Sequence, residues 1–580
     1  MLHYVSILGR IALLILSSWG YCDLLYSRLQ VSLCFLPSLV IAFQIMLLFF
    51  LGLLNCLQTG VWLLLLGGLF FWAYQRSFLW GNLKKYVTFP FLFYAVVLVC
   101  ISLLVKDQLL VHYDNFSHWG VIVKQMLLTN RLPTFRDPII VFQSYPPGSA
   151  CYIYYFCKII SPYEDVQMLA QGVMLVSFFL PLFGFARGEG IFTKILLAIS
   201  CYFVLTFNVL IYDLLVDTLL PMVGMTCILF VYHTFESQNN RTNVLCAVPY
   251  LCTVLLIKNA GIYFAVIASG LALYMAHDAS ERRDSLVMAG MSFLPLFFWF
   301  RHCDYVFTNA AGSKHALSLT SYARMLMKKS TGDIWEITEK FVNFMISGNE
   351  LYFLLFLLLV LGLCAFLAGK DAFRKYQKVA LSIAALYCSY MFFLYLMYIF
   401  SMPSGEARVL AGIGRYRRSI LIAIFYLLVI EACMVYDLLP TRLIKYGSAV
   451  VWGISFYVAV SVLRVTYPLT RAPFIAVKEQ YTDRGARVWL EKTVHHHDFP
   501  HDKKYFFCVG AKLRSYTYYM ARYQLYSSQV QSRTIADVKQ MEEARAYDYL
   551  LVLDTENPIV KEWIEKNYPA QASSPVICLK

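Results

Sequence analysis

Apolar stretches about as long as a bilayer is thick recur thirteen times in this chain, near 33–54, 59–75, 86–105, 165–186, 194–212, 217–234, 243–257, 260–277, 285–301, 350–369, 378–400, 418–437 and 446–463. A helix needs about 20 apolar residues to cross the hydrocarbon core, where no water satisfies backbone N–H or C=O groups, so each stretch predicts a transmembrane helix. A fourteenth, near 4–21, carries Arg10 and fits either a span or a helix lying in the interface. Repetition on this scale excludes an ordinary soluble enzyme and predicts a polytopic α-helical membrane protein with 13–14 transmembrane helices.

Charge divides the chain in two. From Arg464 to Lys580, 30 of 117 residues are charged, near the quarter usual in soluble domains, whereas the first 463 residues hold 54. Residues 1–463 therefore predict a membrane domain and 464–580 a small α/β domain. In the latter, 504–509, 549–554 and 575–579 read as strands and 536–546 and 558–567 as helices, with no Gly-rich phosphate loop. The net charge of +14 comes in the membrane domain from short basic clusters between hydrophobic runs, which is the pattern of membrane loops and not of a nucleic-acid surface.

Those clusters set the topology. Arg76, Lys84 and Lys85, then Arg187 and Lys194, then Arg282 and Arg283, then Lys370, Arg374, Lys375 and Lys378, then Arg442 and Lys445 all fall on one side when the segments alternate. Basic loops stay in the cytoplasm, so the loops 106–164, 302–349 and 401–417 and the whole C-terminal domain are expected outside the cytoplasmic membrane. A transporter keeps its polar residues at mid-membrane, whereas here they collect at the outer helix ends. A flippase for lipid-linked saccharides, which needs a polar path across the bilayer, is the weakest reading.

Sixteen cysteines, mostly inside apolar runs and without CxxC or Cys/His ligand spacing, read as small core hydrophobes. The tail holds only Cys508 and Cys578, and the sequence does not position a bridge between them. His495, His496, His497, Asp498 and His501 contain metal-ligand types, but adjacent histidines on a loop point in different directions, so a solvated loop is expected there.

The most informative stretch is the first outer loop, with Asp114-Asn115-Phe116-Ser117-His118-Trp119-Gly120, an amphipathic run to Leu132, and Ser144-Tyr145-Pro146-Pro147-Gly148. Trp119, Ile122, Val123, Met126 and Leu127 share one helical face, which would hold Asp114 at headgroup level. Two roles are open to Asp114: capping the helix that follows, or meeting a lipid-linked substrate as a reactive carboxylate.

An outer-loop aspartate followed by aromatic and His positions resembles the lipid-phosphosugar-dependent glycosyltransferases of the GT-C superfamily, which include protein mannosyltransferases and aminoarabinose transferases. The two motifs are most similar to those of bacterial cell-envelope members, with an Asp-Glu-Phe-Ser-His-Trp-like stretch and a downstream Tyr-Pro-Pro-Gly. Asn115 departs from the Glu common there, which removes one candidate acid. The resemblance implies a GT-C-like fold and a polyprenyl-phosphate-linked sugar donor. It also implies an acceptor that is a cell-envelope glycan or lipid, and no cofactor; a divalent cation is not expected.

Transfer of that kind needs a carboxylate to take the acceptor's hydroxyl proton and cations to stabilise the departing phosphate. Asp114 is the candidate base. For the phosphate, Lys258 interrupts an apolar run at an outer turn, where a snorkelling lysine is an equal reading, and Arg415 and Arg408 lie just before a membrane helix. Arg415-Tyr416 also resembles an Arg-Tyr element near the donor site of related transferases, while Arg417 and Arg418 are expected to meet lipid headgroups. Asp213 and Asp217, spaced by four as on one helical face, and His118 are candidates for acceptor contact or a second acid. Capping the following helix is the alternative for the two aspartates, and Arg301, His302, Lys314 and His315 suit a solvated loop as well as a lipid phosphate. A lipid-linked oligosaccharide polymerase or ligase would share the carboxylate and the basic rim but use a diphosphate donor.

Overall fold

The computed structural model of the protein describes residues 2–75, 85–185, 190–209, 211–236, 243–307, 319–439, 482–496, 499–501 and 503–580. Among them, nine helices are long and apolar enough to cross a membrane, and four further apolar helices are shorter. They cover twelve of the thirteen predicted segments and add Leu2–Leu29, whose stretch Ser6–Leu29 is long enough to span. The segment 446–463, the domain boundary at 463, and Arg76, Lys84, Arg187, Lys314, His315, Arg442, Lys445, His497 and Asp498 lie outside the described residues.

Both ends of the bundle have a distinct chemistry. Phe89–Val105, Ile191–Phe207 and Val248–Ile257 end, and Leu219–Glu236, Gly261–Met275, Asn349–Ala368 and Ile413–Tyr436 begin, at the end of the bundle that holds the hydrogen bonds and ion pairs described below. Lys85, Lys194, Arg282, Arg283, Lys370, Arg374 and Lys375 lie at the opposite ends of these helices or in the turns beyond. Alternation and charge thus agree within one structure.

The C-terminal region folds as a four-stranded sheet in the order β2-β1-β3-β4, with β1 Tyr505–Cys508, β2 Val530–Arg533, β3 Tyr549–Val552 and β4 Val576–Cys578. β1 is parallel to β2 and β3, and β4 is antiparallel to β3. Parallel strands need crossovers, and the helix Arg514–Leu525 supplies the first, between β1 and β2. One sheet face, with Phe506, Leu550 and Ile577, packs on Trp563 and Ile564 of the helix Pro558–Asn567. The other, with Tyr505 and Phe507, joins the main core through Tyr516 and Met520. β3 separates Cys508 from Cys578, and two strand spacings of about 4.8 Å exceed the reach of a disulfide.

This sheet region is docked on the 106–164 loop by buried polar contacts. Arg487, fully buried on the helix Asp483–His496, donates to Glu164 Oε1 at 2.7 Å, Glu491 Oε2 at 3.0 Å and the Leu110 carbonyl at 3.2 Å. Glu164 also accepts from the Leu110 N–H at 2.7 Å and the Tyr523 hydroxyl at 3.0 Å. The Tyr516 hydroxyl donates to the Val111 carbonyl, and Lys124 Nζ to the carbonyls of Tyr523 and Gln524 that end the Arg514–Leu525 helix. Glu164, in the first turn of the helix Glu164–Phe179, is thus a joint between loop and tail.

Candidate active site

The two loop motifs pack against each other. Asn115–Trp119 form a π-helical turn, closed by the Gly120 N–H on the Asn115 carbonyl, and continue into the helix Gly120–Thr129. A π turn inserts one residue into the helical repeat and turns its neighbours inward, a device common at functional sites. His118 meets the Tyr145 ring edge-on at 4.8 Å, and Trp119 lies 5.9 Å from the same ring. Gly148 ends the second motif where any Cβ would strike the Leu256 carbonyl at 2.6 Å, and a Cβ at Gly261 would strike the Val254 carbonyl at 2.0 Å. These two contacts require glycine and pinch the turn that carries Lys258.

The turn brings Asp114 to the Arg415 guanidinium, with Nη1 to Oδ2 at 2.5 Å. Arg415 sits in the first turn of Ile413–Tyr436, whose N-terminus adds partial positive charge. Behind this pair, Asp217 Oδ1 accepts from Lys258 Nζ at 3.0 Å, and its Oδ2 lies 3.7 Å from Arg415 Nη1. Lys258 Nζ also stands 4.8 Å over the Tyr416 ring. Asp217 is anchored through its carbonyl, which accepts from the Ser419 hydroxyl at 2.7 Å and from Asn208 Nδ2 at 3.3 Å. Two acids and two bases from four distant segments thus form one charge-balanced cluster.

Exposure separates the two acids. The Asp217 side chain is 4% exposed and that of Asp114 25%, so Asp114 is the one open to an incoming molecule. Burial alone would raise the Asp217 carboxyl, but Lys258 and Arg415 outweigh it and hold it below the usual carboxylate range. Asp114 makes no side-chain cap to the helix that follows it, so capping is not what its carboxylate does.

The remaining candidates are redistributed. Asp213 and Asp217 do not share a helical face: residues 212–218 form turns and extended chain, and the helix begins only at Leu219. Asp213 Oδ1 accepts from Asn115 Nδ2 at 2.9 Å while Asn115 Oδ1 takes the Leu214 N–H at 3.1 Å. A Glu at 115 would instead set two carboxylates against each other. Burial holds the Asp213 carboxyl above its ordinary range, against the opposing pull of His112 and Asn115. Arg408 is engaged by Glu336 at 2.7 Å and Asp333 at 3.4 Å on the helix Thr331–Ile346, and not by the cluster. Arg417 and Arg418 both hold Glu350, and Arg417, 4% exposed, also donates to the carbonyls of Phe344 and Ser347, so the lipid-headgroup expectation is corrected. His118 is 2% exposed, has no hydrogen-bond partner on either ring nitrogen among the described residues, and is pushed down to about 3 by burial and by Lys258. His302 contacts the Pro133 carbonyl at 3.4 Å and stacks on Trp299, His495 pairs with Glu491, and His501 contacts the Leu525 carbonyl.

Fold and site together define a multi-pass helical membrane protein with a small C-terminal sheet and a charge-balanced cluster at one end of its bundle. No family model and no curated protein matches the chain. Similar solved structures include two of ArnT from Cupriavidus metallidurans. The form bound to undecaprenyl phosphate has TM-score 0.39 and 13% identity over 75% of this chain and 74% of that one. The apo form has TM-score 0.38 and 11% identity over 83% of this chain and 94% of that one.

Proposed function

We propose that the protein is a membrane glycosyltransferase that moves a sugar from a polyprenyl-phosphate donor to an acceptor hydroxyl on the outer face of the cytoplasmic membrane, with Asp114 as general base. One observation carries the reading: a partly open carboxylate and two cations, Arg415 and Lys258, meet at the rim of an apolar bundle, backed by a buried aspartate. A lipid chain would lie along the bundle while its phosphate reaches the cations. The motif resemblance to GT-C transferases points the same way.

The donor phosphate competes with Asp114 for Arg415, because charge-assisted bonds to phosphate oxygens use the same guanidinium face. Its arrival releases Asp114, which then takes the proton of the acceptor hydroxyl. The hydroxyl oxygen bonds to the anomeric carbon as the bond from that carbon to the phosphate oxygen breaks, and the leaving electron pair stays on the polyprenyl phosphate beside Arg415 and Lys258. Attack opposite the leaving group inverts the anomeric centre. Asp217, buried and paired, holds Lys258 in position and takes no proton.

Asp114→Asn tests the assignment, since Asn keeps the shape but cannot accept a proton. Sugar transfer should fall by about two to four orders of magnitude while binding of undecaprenyl phosphate persists. Near-normal transfer would move the base elsewhere. Transfer from a diphosphate-linked donor only would favour a polymerase or ligase.

A further inference from the structure

We infer that a polar cleft between the first turns of the helix Arg514–Leu525 and β2 binds an anionic saccharide, and that this is the acceptor of the transfer proposed above, on which the second clause rests. The cleft has a volume of about 480 Å³, within the usual range for small-ligand sites. Arg514, Ser515, Tyr518 and Tyr519 line one wall, and the edge strand Val530–Arg533 the other, with Val530 and Ser532 on the sheet face that the helix covers and Gln531 and Arg533 on the opposite face.

The charge of this lining calls for an anion. No carboxylate lines the cleft, and among the described residues Arg514 has no hydrogen-bond or ion-pair partner. Arg533 shares its charge with Glu543 at 3.2 Å, on a pair that is more than a third exposed on each side. A free guanidinium on a concave surface recognises phosphate or carboxylate oxygens by paired N–H donors.

Two tyrosines add the rest. Tyr518 and Tyr519 meet edge to face at 5.0 Å, and Arg522 steadies Tyr518 with a hydrogen bond to its hydroxyl at 3.3 Å. Rings with an apolar face and a polar tip suit a sugar, which offers C–H groups on one side and hydroxyls around its edge. Inorganic anions would need no such wall.

Position connects the cleft to the chemistry. Tyr519 belongs to the cleft lining and also touches the Tyr113 ring at 4.9 Å, one residue before Asp114. On the same helix Tyr516 packs against Phe116 of the π turn at 5.7 Å and Tyr523 against it at 5.2 Å. The Arg514–Leu525 helix therefore lays one face on the segment that carries the base and opens its N-terminal end to the cleft. A saccharide held there extends over Tyr519 and Tyr113 toward the Asp114 carboxylate.

The test uses the full-length protein in uncharged lipid nanodiscs, with binding read by isothermal titration calorimetry. Glucose 6-phosphate is the probe, and glucose and inorganic phosphate are the controls. Glucose 6-phosphate should bind at least tenfold more tightly than either control; Arg514→Gln should weaken it at least tenfold, in line with loss of one charge-assisted contact, and Tyr519→Leu should weaken it by loss of the ring against the sugar. Arg514 is exposed, so its variant folds; unchanged thermal unfolding of both variants checks this. No detectable binding of glucose 6-phosphate, equal binding of glucose or of phosphate, or indifference to Arg514→Gln would overturn the inference. Undecaprenyl phosphate binding, measured in parallel, should depend on Arg415 and not on Arg514. Its absence from the wild type would sink the donor reading while leaving the cleft result standing.

Discussion

Replacing Arg487 by Met should loosen the joint between the C-terminal sheet and the loop that carries Asp114. The Arg487 side chain is fully buried and makes three hydrogen bonds, two of them to carboxylates that are themselves only 12% and 10% exposed. Met fills much of the same volume but takes from Glu164 and Glu491 the buried guanidinium that both of them hold. Removing one partner of a buried ion pair costs about 3–5 kcal/mol, because the other charge stays desolvated. At 1.4 kcal/mol per factor of ten, local opening should rise by about two to four powers of ten. Hydrogen exchange of the Leu110 amide, which donates to Glu164, reports that opening directly. The double change Arg487→Met with Glu164→Gln should recover part of the loss, since it removes one stranded charge. Exchange at Leu110 within threefold of wild type in the single variant would refute the energetic account of the joint.

Lowering the pH should spare the cluster until strongly acid conditions. Asp217 has its carboxyl held below the ordinary aspartate range, so the stability it lends is fully present above about pH 4 and is lost as pH falls through the lowered value; an unfolding scan whose cluster-dependent loss, judged against Asp217→Asn, begins near pH 6 would contradict this. His118, pushed down to about 3, should show no titration between pH 5 and 8 by imidazole NMR, and a protonated ring at pH 6 would mean that it is not enclosed as described. Cys56 and Cys578 are both exposed on the expected outer side, so in a Cys56→Ser background a membrane-impermeant maleimide should label Cys578 in intact cells and miss the Cys56→Ser, Cys578→Ser double variant; protection of Cys578 there would reverse the topology.

Sequence made the helices legible because bilayer thickness sets a length that a run of apolar residues must meet, and it made β1, β3 and β4 legible because they are short buried runs. β2, Val530–Arg533, escaped because only one of its four residues is aliphatic, as suits an edge strand. The Arg514–Leu525 helix escaped because its buried residues include Tyr516, Thr517, Arg522 and Tyr523, with only Met520 and Leu525 as large aliphatic-type side chains. Asp114, Asp217, Lys258 and Arg415 were each marked by polarity out of place, yet their pairing was not, since Asp114 and Arg415 stand 301 positions apart. The pairing of Arg408 was hidden for the same reason: its partner Glu336 is 72 residues away on a helix whose docking no local pattern announces.

The contact between Asp114 and Arg415 also bears on how a cycle would finish. After transfer, the acid holds a proton and the spent lipid phosphate occupies the guanidinium. Re-forming the resting pair requires both to leave, so the empty site competes with its own product. An enzyme wired in this way would discard spent carrier lipid more readily than its two cations alone would suggest, and Arg415 would act as latch for Asp114 as well as clamp for the donor phosphate.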